Sequence, residues 1–485
     1  MAYDDDPVIE YDYPSNEDSG KESKRKGCFL LLAILIVIAM IGVSLPSLFW
    51  FYSLRPERSN VVVEVTREVT ATAVPTQVTK VAVTATPTPV VGEAPVNRIA
   101  FINGEGQIVT IKPNGEDAHQ LTNSFQRFQY PAWSPDSSQL AVIGQDRAGG
   151  AVFVVDANAE EAQPLSLYND NRESPFYLYW SPDGEQIGFI ANNRSSGIAL
   201  HVVPVDGSDE SRIISEGAPF YWHWAASGQE MLIHSGGTGF GSKVEMIGAG
   251  DGIANNELGH PGFFQSPGIS ANGRYWAYAE RDGANSHITI VDTETNEVRS
   301  EQHLGLAALS WSPTDDLLAY TSGDNPESES FLGALRLFNA ETGEVTLLSR
   351  DTVVGFFWSP NGRYIAALSF LNNGEERDVN VSLPKQLVGK PSQQGRLPEL
   401  ELVIFDMETM EGQEVLRYVP TLAFLTQFLP FFDQYALSHQ IWSPDSETIV
   451  LPMIEDSRSQ IFTVSVKTGE RRYLADGSMP FWSLR

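Results

Sequence analysis

The sequence predicts an all-β protein: an eight-bladed β-propeller, with seven blades as the runner-up, behind one N-terminal transmembrane helix. Three observations predict it. A turn of the form W-S-P-D-G recurs over residues 96–485, mostly at spacings of 40 to 47 residues. Short apolar runs of strand character follow each recurrence, in a chain with 40 Gly and 29 Pro for its turns. Residues 27–54 carry no charge at all.

Composition bounds the rest. The chain has 485 residues, 62 acidic against 32 basic side chains, and a formal net charge of −30. Phosphate neutralisation needs clustered Lys and Arg, so nucleic acid is excluded as a partner. A hydrophobic content of 42% is enough for a sizeable core. The single cysteine, Cys28, excludes an intrachain disulfide and a Cys-based zinc site.

In chain order, residues 1–26 are an acidic, polar tail, read as disordered. Residues 27–54 follow, and a helix needs about 20 apolar residues to cross a bilayer. Lys21, Lys24, Arg25 and Lys26 stand just before the run, which leaves the N-terminus in the cytoplasm. A cleaved signal peptide would be shorter and would end in small residues. This run ends in Leu48-Phe49-Trp50-Phe51, so an uncleaved single-pass signal anchor is expected. Residues 55–95 alternate Val and Thr with Pro75, Pro87 and Pro89 interspersed, the composition of an extended stalk. The domain beyond it is then tethered to the cell membrane on the extracellular or periplasmic side.

The repeats start after the stalk, at residue 96. Their anchors are Trp133, Trp180, Trp224, Ile269, Trp311, Trp358, Trp442 and Trp482, with one long interval of 84 residues between Trp358 and Trp442. Pro presets the first central position of the turn, and Gly takes the position that needs positive φ, as in Ser181-Pro182-Asp183-Gly184. A second turn, such as Asn339-Ala340-Glu341-Thr342-Gly343, closes the outer hairpin. Each unit therefore yields about four antiparallel strands that must stack on neighbours to bury both faces. The last anchor, Trp482, has no second half after it. Ring closure solves this: Phe481-Trp482-Ser483-Leu484 completes the blade begun by Arg98-Ile99-Ala100-Phe101-Ile102.

The W-S-P-D-G repeat resembles the TolB-type, WD40-like propeller repeat of periplasmic TolB and of the propeller domains of prolyl oligopeptidase-like peptidases. The resemblance spans residues 96–485 and implies the fold. The units at Trp224 and Ile269 depart from the motif, since both lack Pro and one lacks Trp.

Two regions are candidate binding surfaces. One is an insertion at about 371–437. It begins with a polar, loop-like stretch and ends in YVPTLAFLTQFLPFFDQYAL at 418–437, rich in apolar residues that include Phe424, Phe428, Phe431 and Phe432. Leu422, Leu425, Phe428 and Leu429 have helical spacing, so a short helix ending near Leu429, before Pro430, is expected. The segment either packs over the ring or offers an apolar surface to a partner. The other region is the channel mouth. Three positions before the anchors stand Tyr130, Tyr177, Tyr221, Ser266, Ala308, Gly355, His439 and Met479, with Trp222 and His223 nearby. This mixture suits peptide or sugar contact; the competing reading is that the aromatics fill space between blades.

Catalytic motifs are missing: no G-x-S-x-G elbow, metal-ligand spacing of His, P-loop or Rossmann fingerprint occurs. No catalytic residue, metal or cofactor is assigned. The expected function is a membrane-tethered scaffold module that binds an envelope protein, a peptide or a glycan. The alternatives are a hydrolase or lyase using polar residues at the channel mouth, among them His223 and His439, and a single-span ligand sensor.

Overall fold

The structure, a computed structural model, describes residues 96–485 apart from 148, 237–240, 251–255, 260, 262–264, 283–284, 327–329 and 371–397. The acidic tail, the apolar run 27–54, the stalk and the polar start of the insertion lie outside the described residues. Among the described residues, no helix is long and apolar enough to cross a membrane.

The described chain is antiparallel sheet nearly throughout. Arg127–Trp133, Gln139–Gln145, Gly150–Asp156 and Leu165–Asn169 form a four-stranded meander in sequence order. Three similar meanders follow, starting at Pro175–Trp180, Phe220–Trp224 and Gly268–Ile269. Next comes a seven-stranded sheet from Leu309–Trp311 to Glu411–Tyr418. Its 14-residue strand Val345–Trp358 pairs early with Gly333–Asn339 and late with Tyr364–Phe370. The stretch 371–437 is therefore not insertion throughout, since Leu400–Asp406 and Glu411–Tyr418 are strands of this sheet. Thr448–Glu455, Arg458–Ser465 and Arg471–Asp476 form a three-stranded sheet, and Trp442 bridges to its first strand at Ile449.

The last sheet joins the two ends of the described chain. Ile99 lies opposite Trp482 and Ala100 opposite Phe481, so the N-terminal strand Ile99–Ile102 pairs with Ser478–Trp482. The closure expected from the orphan last anchor is present. It leaves no sheet unmatched at either end.

Burial grades across each sheet. In the third strand of the first meander, Gly150–Asp156, only Asp156 is exposed, whereas every residue of the fourth, Leu165–Asn169, is exposed or half-buried. Middle strands are covered on both faces by neighbouring sheets, so they read as continuous apolar runs.

The repeated motif has two physical jobs. The first is local. In Ser181-Pro182-Asp183-Gly184, the Ser181 hydroxyl donates to Asp183 Oδ1 at 2.5 Å and accepts the Gln186 N–H at 3.0 Å. Asp183 Oδ1 also accepts the Glu185 N–H at 3.0 Å, and Gly184 takes φ 76°. The same bonds recur around Ser134, Ser359 and Ser443. The turn thus satisfies its own buried polar groups. The second job links sheets. At four anchors the indole N–H reaches the carbonyl just before the preceding anchor: Trp133 to Phe481, Trp180 to Ala132, Trp358 to Ser310 and Trp442 to Phe357, at 2.9–3.1 Å.

The link is lost at the departing unit of Trp224 and at Trp311, which follows the departing unit of Ile269. Trp224 Nε1 and Trp311 Nε1 are buried with no hydrogen-bond partner. Trp224 is held instead through its backbone N–H, which donates to the Tyr179 hydroxyl at 3.0 Å.

Candidate functional site

The strands Arg127–Trp133, Pro175–Trp180, Phe220–Trp224 and Gly268–Ile269 each open a sheet, and each ends at an anchor turn. In a ring closed as above, these first strands line the axis. The anchor turns mark one mouth, and the starts of the strands mark the other.

The apolar segment fills the second mouth. After Tyr418 it runs as a π-helical turn at Phe424–Phe428, a 3-10 turn at Leu429–Phe431 and an α turn at Phe432–Tyr435. The expected stop at Leu429 is a change of helix type instead. Pro430 sits in the first positions of the 3-10 turn, where its missing N–H costs no bond. Two isolated bridges, Pro420 to Met453 and Trp442 to Ile449, pin the base of the segment to the three-stranded sheet.

From this base the segment reaches first strands around the ring. On one side its contacts are apolar. The Phe432 ring packs on Phe331, Phe356 and Phe357 with centroids 5.1–5.8 Å away, and Phe428 stacks on Phe357 and Phe481. Gly355 allows the close approach, since a Cβ there would lie 3.0 Å from the Leu429 side chain.

On the other side the contacts are polar. The Gln434 side-chain amide pairs with both backbone groups of Trp222, accepting its N–H at 2.8 Å and donating to its carbonyl at 2.9 Å. Asp433 Oδ2 accepts the Ser266 N–H at 2.8 Å. The Tyr177 hydroxyl donates to the Gln434 carbonyl at 2.9 Å, and the Tyr130 hydroxyl to Gln427 Oε1 at 2.9 Å. Tyr435 stacks on Tyr130 and meets Tyr177 edge-on. A segment that touches so many first strands lies on the axis; it is a plug.

The residues three before the anchors largely converge here. Tyr130, Tyr177, Ser266, Gly355 and His439 all face the plug or its base. Tyr130 does so from φ 53° at a bulge in its strand, a conformation rare for a bulky residue, and this aims its ring into the axis. Tyr221 packs on His234 at 5.8 Å. His223 is half-buried and spends its Nδ1 on the Ile269 N–H at 3.0 Å, tying neighbouring sheets together.

Tyr130, Tyr177, Tyr221, Trp222, His439, Phe424, Phe428 and Phe432 are all buried. While the plug is seated, these side chains contact protein rather than a ligand. Phe431 is the exception, 43% exposed, beside Leu422 at 56%. The exposed rings of Phe125 and Phe176 stand where their first strands begin, around the same mouth.

Electrostatics follow burial. Burial pushes the Asp433 carboxyl up to about 6, opposed by its backbone N–H bonds. Burial pushes the His439 imidazole down to about 3 and the His223 imidazole to about 4. The Ser438 hydroxyl lies 2.6 Å from His439 Nδ1, but His439 Nε2 has no partner. An imidazole this weak, with no carboxylate orienting it, is a poor general base at neutral pH. Among the described residues, no group of three or more His, Cys, Asp or Glu side chains is placed to hold a metal ion.

Sequence reasoning missed Gln427, Asp433, Gln434 and Ser438. The available signal was the Asp-Gln pair inside an otherwise apolar run, a polar pair with no reason to be there unless the ring supplied partners.

Known structures share this architecture. Dihydro-heme d1 dehydrogenase NirN, in complex with DHE, aligns with a TM-score of 0.51 at 11% identity, covering 82% of this chain and 77% of that one. The fold is a β-propeller. TolB from Acinetobacter baumannii aligns at 13% identity over 71% of this chain and 82% of its own, with a TM-score of 0.34. Oligogalacturonate lyase from Vibrio parahaemolyticus aligns at 12% over 78% and 84%, with a TM-score of 0.41. No family model matches the chain, and no curated protein matches it. At such identities the likeness is one of propeller fold and carries no activity.

Proposed function

We propose that the chain is a membrane-tethered, extracytoplasmic propeller of eight blades that serves as a scaffold for a protein or peptide partner, with an envelope glycan as the other ligand class. Counting the seven-stranded sheet as two blades that share Val345–Trp358 supports the number eight.

The observation that carries the binding role is the use made of the channel mouth. Its aromatic and polar groups are joined in stacking and backbone recognition, not organised as acid, base and nucleophile. The tether is supported by the place where the chain enters the ring. The Asn97 N–H donates to the Arg485 carbonyl at 2.7 Å, and the Leu484 N–H donates to Ser137 in an anchor turn at 3.0 Å. The described chain therefore enters the ring at Val96, on the anchor-turn side, opposite the plug. The plug face, with Phe431, Leu422, Phe125 and Phe176 exposed, is the face left for a partner.

Protease added to intact cells tests location. It should remove the propeller and leave a small membrane-held fragment containing residues 27–54; a chain protected from protease overturns the topology. Phe431→Asp with Leu422→Asp tests the face. The pair should abolish capture of a defined envelope partner while leaving the unfolding midpoint within a few degrees of the native value.

One observation favours the enzyme reading, the 2.6 Å contact between Ser438 and His439. Labelling of Ser438 by a fluorophosphonate would move the assignment to a hydrolase.

A further inference from the structure

The plug is joined to the ring as a bound ligand would be. The free edge of a first strand offers backbone N–H and C=O groups to the axis. At Trp222 the Gln434 amide takes both, as a peptide group would. At Ser266 the backbone N–H takes the Asp433 carboxylate. None of these contacts is strand pairing of the plug itself.

The plug's own structure is weak. Three helix types follow one another between Phe424 and Tyr435, and none has a side-chain cap bond. Such a segment has few repeating backbone bonds to hold it together away from the ring. The blade that carries it does not need it, because Thr448–Glu455, Arg458–Ser465 and Arg471–Asp476 pair fully without it. The bridges at Pro420 and Trp442 lie at its two ends, where hinges would act.

We propose that Phe424–Tyr435 is an internal occupant of an axial binding seat and swings out on the hinges at Pro420 and Trp442. The seat then accepts a peptide that presents a carboxylate beside an amide to Ser266 and Trp222. The inference rests on the binding role proposed above and adds its regulation: the seat is closed by the chain's own segment until a competing peptide replaces it.

Hydrogen exchange on the native full-length chain in detergent tests the motion. The Trp222 and Ser266 amides should open about tenfold or more often than the strand amides of Val142 and Leu451. Exchange of all four at one common rate would mean that the plug leaves only on global unfolding, and would overturn the proposal.

A second measurement uses Gln434→Ala, with a labelled synthetic peptide copying residues 421–437 as probe. The variant should bind the peptide at least about tenfold more tightly than the native chain does. A copy carrying Asp433→Asn and Gln434→Ala should not bind. A variant whose Trp222 amide has become exposed but which ignores the peptide refutes the seat. A seat that opens and takes the peptide, in a chain that captures no envelope partner, would leave this inference standing and remove the scaffold role.

Discussion

The anchor turns and the plug solve the same problem, that of burying polar groups at a mouth of the ring, in opposite ways. A turn bonds within itself. Ser181 reaches partners two and five residues away, and so does Ser443. The plug bonds across the fold. Gln434 meets Trp222 across 212 residues, Asp433 meets Ser266 across 167, and Gln427 meets Tyr130 across 297. Local bonds make the turn a repeatable module, readable in any copy. Long-range bonds make the plug dependent on every blade it touches, and therefore able to report on the ring as a whole.

Acid should break the comparison most strongly. The folded His439 has its pKa held down to about 3 by burial, against 6.5 when free. Its contribution to stability is complete above pH 6.5 and is lost as pH falls toward 3, on the order of 5 kcal/mol in all. His201 and His303, buried in blades and held down to about 4, act in the same direction. Asp433 has the opposite sign. Its pKa rises from 3.8 to about 6, so its contribution is complete below pH 3.8 and is lost as pH climbs through 6. Chemical denaturation at pH 7, 5.5 and 4.5 should show a falling midpoint. His439→Gln should flatten that fall, whereas a turn variant such as Ser181→Ala should leave its slope unchanged.

Phe432→Ala comes next. The ring is fully buried among Phe331, Phe356 and Phe357. Its removal should cost about 3–5 kcal/mol in denaturant unfolding, the range for a buried Phe. A loss under about 1 kcal/mol would mean that the plug is not part of the core.

Gln434→Ala is smaller. It leaves the N–H of Trp222 without a partner, while the Trp222 carbonyl keeps the Tyr179 hydroxyl at 3.1 Å, and should cost about 1–3 kcal/mol, with faster exchange confined to first strands. Gln434→Glu should not restore the loss, because a carboxylate cannot donate to the Trp222 carbonyl.

Ser181→Ala is smallest. One hydroxyl that serves two local bonds should cost about 1 kcal/mol and leave exchange at Trp222 unchanged. If instead it loosens the plug, the two mouths are coupled and the contrast between them fails.

Much of this was legible from residues alone. Strand, turn and closure are encoded within a few residues of each anchor, so Trp180, Pro182, Asp183 and Gly184 announce a blade without knowledge of its neighbours. The orphan anchor Trp482 announced the closing strand in the same way. The axial cluster was legible only in part. Counting three back from each anchor found Tyr130, Tyr177, Ser266 and His439, because the repeat sets their height on the first strand. It could not say what they face.

The net charge of −30 and the repeat period are properties of the sequence by itself, and with them the class of fold. Only the tertiary structure decided that Phe424, Phe428 and Phe432 turn into the axis while Phe431 stays out, and that Asp433 and Gln434 find backbone partners there. The physical reason is the range of the interactions. Hairpins and turns are written in neighbouring residues, whereas the axis exists only after the last strand has met the first, and only then is there a mouth to fill.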